Sequence, residues 1–318
     1  EAVRRFIGIF AFALWDREED HLHLVRDPVG VKPLYWARAG ETLLFGSELK
    51  ALRAHPAFTA VPDRGALALF MRYGYIEAPY AVYEGVRKVP PGTILTLDPS
   101  APHHAVSEPY WSARAATEVE SRPLPPAELD DRLDALLRDA VGLQMTADVP
   151  VGAFLSGGVD SSLVVALMQA QSSRPVRTFT VGFTERGYDE SAEARAVAAH
   201  LGTLHTELVL TPAEAQAVIP LLPAIYDEPF ADVSQIPTYL VSKLARRAVT
   251  VSLSGDGGDE LFAGYSKYAW AERIRYAGAW LPGPLRRAVS SALTAVPPAV
   301  WNAVLRGRDL LVDQRLDV

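Results

Sequence analysis

The sequence predicts an α/β protein in two parts, a β-rich front region and then a doubly wound parallel sheet with helices on both faces. Three observations predict it. Residues 1 to about 112 are short apolar or alternating runs parted by turn residues. From residue 127 on, apolar runs of strand length alternate with segments of helical period, as in a parallel sheet covered on both sides. Two strings rich in glycine and acid, Ser156–Ser162 and Ser254–Glu260, each follow directly on an apolar run. In an open α/β sheet that is the ligand-binding edge.

In the front region Phe6–Asp16 is a long apolar run and His21–Val25 alternates, with Arg17–Asp20 reading as the turn between two strands. PLYWARAGETLLFGS continues the meander and reverses at Ala39-Gly40. Residues 64–74 form a short helix, and EGVRKVPPGTILTLD returns to extended structure around a corner at Pro90-Pro91-Gly92. Residues 113–126, polar, small and Pro-containing, read as a linker or an ordered surface loop.

Behind the linker, Ala127–Val141 is an amphipathic helix with Leu129, Leu133, Leu136, Leu137 and Val141 at helical spacing. Strand Val149–Leu155, helix Ser161–Gln171 and strand Val176–Phe183 follow, then helix Asp189–Leu201, ended by Gly202, and strand His205–Leu210. Thr211, Pro212 and Glu214 have the spacing of a capping box with Pro in the first turn, opening a helix over 212–225. A loop at Asp227–Asp232, a helix over Thr238–Ala248 and the strand Val249–Leu253 complete the alternation, and the second region is taken to run to residue 318.

Composition narrows the class. A chain of 318 residues, 49% hydrophobic and 22% charged, suits a packed globular protein of about two domains. A formal net charge of −7 speaks against a nucleic-acid binder, which would show a basic stripe. No apolar run reaches the length of a membrane span, and the opening EAVRRFIGIF lacks the parts of a signal peptide. No nucleic acid, no membrane and a cytoplasmic location are therefore expected. The opening without Met, directly on an apolar run, reads as a chain that begins inside a domain. With no Cys, the chain holds no disulfide, thiolate zinc site or cysteine nucleophile.

The string Ser156-Gly157-Gly158-Val159-Asp160-Ser161-Ser162 carries the chemistry. Two glycines let the backbone approach a ligand, and the helix that follows offers free N–H groups to an anion. The three serine hydroxyls add donors, and Asp160 suits a magnesium ion that offsets pyrophosphate charge. No GxxxxGK[ST] occurs, so this is not a Walker loop. Taken alone, the string is as readily a Gly-Gly turn capped by Ser and Asp. The second string tips the balance, because in a parallel sheet both lie at strand carboxyl ends, where Asp160 and Asp259 can share metal ions. Thr178–Phe183 is a strand near whose end Gly182 lets an adenine ring stack on the backbone. Asp227-Glu228-Pro229-Phe230 with Ser234–Tyr239 can present polar groups to an amino-acid substrate.

In this order and spacing, SGGVDSS, TFTVGF, DEPF with IPTYL, and LSGDGGDELFAGY resemble the synthetase domain of the glutamine-hydrolysing asparagine synthetase family. The first is similar to the PP-loop of the N-type ATP pyrophosphatases, an adenine nucleotide alpha hydrolase-like fold. The front region resembles the second half of the same family's N-terminal-nucleophile (Ntn) glutaminase domain. There the likeness lies in GIFAFALWD, in RDPVGVKPLY (Arg26–Tyr35) and in FGSELKAL (Phe45–Leu52). It runs from residue 4 to about 270.

The resemblance implies that ATP and aspartate form β-aspartyl-AMP and pyrophosphate, after which ammonia from glutamine displaces AMP. ATP and magnesium are the implied cofactors; aspartate and glutamine are the implied substrates, and a homodimer is compatible with it. Leu155, Val181, Ser254 and Gly255 then surround the adenosine. Ser156, Gly157, Gly158, Asp160, Ser161 and Ser162 hold the pyrophosphate, with Asp160 and Asp259 on magnesium. Asp256 stands where many relatives carry a Glu important for the acyl-adenylate step. Asp27 matches a residue that binds glutamine, although an Asx-type turn before Pro28 explains it as well.

The chain also departs from the pattern. The family's glutaminase nucleophile is an N-terminal Cys, absent here together with the first stretch of that domain. A late catalytic Lys has no counterpart that can be located, and Lys267, though close in sequence, is not assigned to it. The segment itself is therefore expected to lack glutaminase activity. Three other readings stand beside asparagine synthesis: an amidotransferase with another carboxylate acceptor, a β-lactam synthetase-like ligase, and a non-catalytic nucleotide-binding paralogue. RDPVGVKPLY weighs against the ligase, and the carboxylates Asp160, Asp256 and Asp259 weigh against the paralogue.

Overall fold

The computed structural model describes residues 1–101, 105–118, 124–184, 190–280, 282–297 and 300. In the front region β1 (Ala11–Asp16) and β2 (His21–Arg26) pair antiparallel from Ala11↔Arg26 to Asp16↔His21. The turn between them is held by Asp16, whose Oδ1 accepts the N–H groups of Glu18 and Glu19 at 2.8 and 3.2 Å. The apolar run ahead of Ala11 is not strand, contrary to expectation, and Ile7 is exposed. The reason is pairing: Phe10 C=O still accepts from Asp27 N–H at 2.9 Å, but β2 ends at Arg26 and the chain turns away at Pro28, so the ladder does not continue ahead of it.

Strands β3 (Tyr35–Ala39) and β4 (Thr42–Gly46) form the expected hairpin. Helices α1 (Leu49–Arg53) and α2 (Arg64–Tyr73) follow; Asp63 caps α2 by accepting from Gly65 and Ala66. Then come β5 (Val86–Lys88), β6 (Thr93–Leu97) and β7 (Ala105–Pro109). They build two sheets, ordered β1-β2-β6-β7 and β4-β3-β5. Alternation decides which residues meet between them: Leu22 and Leu24 of β2 and Leu95 and Leu97 of β6 pack with Trp36 and Leu43. On its other face, the smaller sheet packs Tyr35, Ala37 and Leu44 against Leu49 and Leu52 of α1 and Ala66 of α2. The proposed linker contains a short helix, α3 (Ala113–Thr117), capped by Ser112, which the sequence reading left out; residues 119–123 lie outside the described residues.

The second region opens with α4 (Pro126–Met145), β8 (Val151–Phe154), α5 (Val159–Gln171), β9 (Arg177–Phe183), α6 (Ser191–Leu201) and β10 (Leu204–Leu210). The start expected for α6, Asp189, lies outside the described residues. The expected helix over 212–225 is instead three pieces, α7 (Pro212–Gln216), a 3-10 turn (Ile219–Leu221) and α8 (Leu222–Ile225). Pro220 and Pro223 explain the break, since neither has an N–H to continue the ladder. The remaining elements are α9 (Gln235–Ala245), β11 (Val251–Leu253), α10 (Gly258–Phe262), α11 (Ser266–Ala279) and α12 (Gly283–Ala295). No helix among the described residues is long and apolar enough to cross a membrane.

The four strands form one parallel sheet in the order β10-β9-β8-β11. Both faces are covered. Ala153 and Leu155 on one side of β8 pack with Val165 and Met168 of α5 and Ala194 and Ala198 of α6. Phe154 and Phe179 point the other way, to Val241, Leu244 and Ala245 of α9. One expectation fails in part: of the leucines assigned to the apolar side of α4, Leu129, Leu133 and Leu136 are exposed. Only the later part of that helix, through Leu137, Val141 and Met145, reaches the core.

The strand order fixes the site. The chain steps from β8 outward to β9 and β10, then returns to lay β11 on the other side of β8. Because the chain leaves β8 on the side of β9 and returns to β11 on the other side, the strand order reverses there, and such a reversal opens a crevice at the carboxyl ends of β8 and β11.

Candidate functional site

Both glycine-rich strings leave that crevice. After β8 the chain runs through Leu155 into Ser156–Gly158, and α5 starts at Val159 with Gly158 as its N-cap. Gly157 has φ +86°, and a Cβ there would lie 2.7 Å from Glu193 Cβ and 2.8 Å from Ala194 N at the head of α6. Only glycine fits that turn. Ser161 locks the loop from within: its buried Oγ accepts from Ser156 N–H at 3.2 Å, lies 3.0 Å from Ser156 Oγ and donates to Gly158 C=O at 3.3 Å. Ser162 is set apart. Its Oγ is buried without a partner, on a side of α5 shared with Leu163 and Ala166, across from Val197 and Leu201 of α6.

After β11, Ser254 Oγ donates to Asp256 Oδ2 at 2.9 Å, and Gly258 N–H donates to Gly255 C=O at 3.1 Å. The two loops touch. A Cβ on Gly255 would fall 2.7 Å from Ser161 N and 3.1 Å from Asp160 Cβ, and one on Gly258 would run into the Asp160 carboxylate. Asp259 follows Gly258 in the first turn of α10, and its own carboxylate lies against Gly264 just past that helix. Asp160, at the start of α5, thus meets the second loop at Gly255 and Gly258, the loop that also carries Asp256 and Asp259.

Two carboxylates are hard oxygen donors of the kind magnesium takes, and magnesium commonly draws its other ligands from substrate phosphates and water. Among the described residues no group of three or more His, Cys, Asp or Glu is placed to hold a metal ion by itself. The donor set fits an ion that arrives with a phosphate ligand.

Of the residues assigned to the adenosine, Val181 is half-buried among Leu210, Val218 and Leu240 near the strand ends. Leu155 is in the core, its N–H bound to Phe179 C=O and its C=O accepting from Thr180 Oγ1. What Leu155 offers a ligand is shape, through the backbone around it. Thr180 was missed by the sequence reading, although a buried hydroxyl in an apolar strand was the signal for such a tie.

Two expectations are corrected. Asp27 is buried, with Oδ1 accepting from Gly30 and Val31 N–H at 2.7 and 3.0 Å and Oδ2 accepting from Lys32 N–H at 2.9 Å. It anchors the turn around Pro28 and has no free face for a substrate. Arg26 finishes the same loop, donating to the carbonyls of Gly30, Lys32 and Val89. Asp227 and Glu228 do not line the rim either. Glu228 is 11% exposed and paired with Lys88, and Asp227 contacts Lys50, so both face the front region. Lys267 stacks 4.1 Å from the ring centre of Tyr265, whose phenol, hydrogen-bonded to Glu260, is pushed up to about 12.

Comparison with known proteins adds to this geometry. The family model described as asparagine synthase matches residues 132–315, and that described as glutamine amidotransferase domain matches residues 1–111. The chain is 37% identical over 273 residues to asparagine synthetase [glutamine-hydrolyzing] 1 of Bacillus subtilis, covering 84% of this chain and 41% of that protein. It is 36% identical to the putative asparagine synthetase [glutamine-hydrolyzing] 2 of Methanocaldococcus jannaschii, over 87% of this chain and 53% of that one. A putative asparagine synthetase [glutamine-hydrolyzing] of Mycobacterium tuberculosis is 36% identical over 98% of this chain and 47% of its own length. The chain spans about half the length of the curated relatives it matches.

Proposed function

Because the chain belongs to the asparagine synthase family, with a glutamine amidotransferase domain ahead of the synthetase part, we propose that it acts in an enzyme making asparagine from aspartate, ATP and glutamine. The observation that carries this reading is the meeting of the two acidic, glycine-rich loops between β8 and β11. A phosphate chain needs N–H donors, close backbone approach and carboxylates for its metal, and that rim offers all three.

In this reading an oxygen of the aspartate side-chain carboxylate attacks the α-phosphorus of ATP, and the bond to the β-phosphate breaks to release pyrophosphate. Ammonia then attacks the acyl carbon, AMP leaves, and asparagine and a proton remain. The protein's work in the first step is positioning and charge stabilisation. Ser156, Gly157, Gly158 and Ser161 hold the departing pyrophosphate, while Ser254, Gly255 and Val181 border the adenosine. Asp160 and Asp259 hold magnesium, which when bound neutralises phosphate charge. Asp256, steadied by Ser254, faces the acyl-adenylate. Asp27 is assigned to the architecture of the amidotransferase loop.

The test uses the full-length protein. Asp160→Ala and Asp259→Ala each lower aspartate-dependent pyrophosphate release by about 100- to 1,000-fold, the usual loss for one electrostatic contact at a reacting phosphate. Near-parental release by either variant removes that residue from the site, and parental protein that releases pyrophosphate only with a carboxylate other than aspartate refutes the acceptor.

A further inference from the structure

Glu228 sits between α8 and α9, close to the rim of the parallel sheet, yet the groups that hold it come from the front region. Lys88 Nζ lies 2.5 Å from its Oε2, Tyr35 OH donates to Oε2 at 3.2 Å, and Val82 N–H donates to Oε1 at 2.7 Å. Both members of the ion pair are largely closed off from water, at 14% and 11% exposure. The same ammonium donates to Ile76 C=O at 2.5 Å. Two lesser ties flank this one: Lys50 Nζ lies 3.5 Å from Asp227 Oδ1, and Ala231 N–H donates to Gly74 C=O at 2.8 Å.

An exposed pair here would be a loose contact. A buried pair whose other lone pairs and protons are also satisfied has one geometry and resists sliding. The loop that carries Glu228 runs straight into α9, where Ile236, Tyr239 and Leu240 pack with Val181 and Leu210 at the ends of β9 and β10. One buried carboxylate therefore ties the position of the front sheets to the rim where the acidic loops meet.

We infer that Glu228 is a positioning residue that seats the amidotransferase region on the synthetase rim, so that ammonia freed on one side reaches the acyl-adenylate on the other. The inference rests on the function proposed above. Glutamine and water yield glutamate and ammonia, and each ammonia used gives one asparagine, so a well-seated junction makes the two products equal. Glu228 touches neither reaction. Its loss leaves both partial reactions running and lets ammonia escape between them.

The experiment measures asparagine and glutamate in full-length protein carrying Glu228→Gln, which keeps the side-chain size and an acceptor for Val82 N–H but removes the charge facing Lys88. Ammonium-dependent synthesis and glutamine hydrolysis are expected to stay within about twofold of the parent, while asparagine formed per glutamate falls about fivefold or more, as misplacement at a distance typically acts. The double variant Lys88→Met with Glu228→Gln removes both charges, guards against an unfolded single variant, and is expected to leak in the same way. An unchanged ratio in both variants overturns the inference. So does an equal loss of ammonium- and glutamine-dependent synthesis, which marks a role in folding alone. A parental protein that makes no asparagine from ammonium overturns the functional reading, and this inference with it.

Discussion

At the scale of single residues, polar groups were harder to read than apolar ones. An Asp in a string such as RDPVGVKPLY serves a substrate or its own turn, and nothing in the string decides between them. The fold decides it for Asp27, since three backbone N–H groups converge on its carboxylate inside the protein. Asp27→Ala leaves those donors buried without an acceptor and is expected to destabilise the protein by about 3 kcal/mol. Urea denaturation with Asp27→Asn as an intermediate control checks this; a parental midpoint combined with weakened glutamine use by the full-length protein would return Asp27 to a substrate role. Glu228 misled for the same reason, because its partners Lys88 and Tyr35 lie about 140 residues or more away in the chain. Asp160 was legible because the glycines and serines around it narrow what its loop can do.

Elements were legible wherever local chemistry closes on itself. The capping box at Thr211 forms as read, with Thr211 Oγ1 accepting from Glu214 N–H and Glu214 Oε2 accepting from Thr211 N–H. Thr211→Ala is expected to cost about 1 kcal/mol, measured by thermal or urea unfolding. Past that first turn the reading failed, since the capping box was extended through Pro220 and Pro223, which end the helix. Tertiary pairing was likewise hidden: α6 and β10 are joined by Arg195, which donates from Nε and a terminal nitrogen to both oxygens of Glu207, at 3.0 and 2.8 Å. Those donors, opposed by partial burial, hold the Glu207 carboxyl below its ordinary value of 4.5. The stabilisation is thus present above pH 4.5 and is lost as the pH falls through the lowered value. With the Arg half exposed to solvent it is worth about 1 kcal/mol or less. The stability gap between parent and Glu207→Gln should accordingly shrink on acidification, and a constant gap would assign the difference to packing.

At the scale of the whole molecule, the two-part architecture and the parallel sheet could be read from periodicity, because a strand buried on both faces leaves an uninterrupted apolar run. Strand order could not. That β11 returns to the side of β8 away from β9 depends on packing across the sheet, and the sequence reading had only the general rule that loops at one sheet edge can meet. How the front sheets sit on the rim was also beyond it, for the ties there are single side chains with no repeating pattern. Glu228 belongs to this scale, and its variant tests the junction and not either end.

The lone contact of β11 with β8 has a consequence in time. Three residue pairs, Val251↔Val151, Ser252↔Gly152 and Leu253↔Ala153, hold this strand at the margin of the sheet among the described residues. A chain leaving the ribosome shows its first acidic loop about 100 residues before the second, and until β11 docks that loop faces open solvent with half its partners unmade. The proposed nucleotide site is thereby complete only once β11 has docked, and on the function proposed above a triphosphate spanning both loops favours the docked strand.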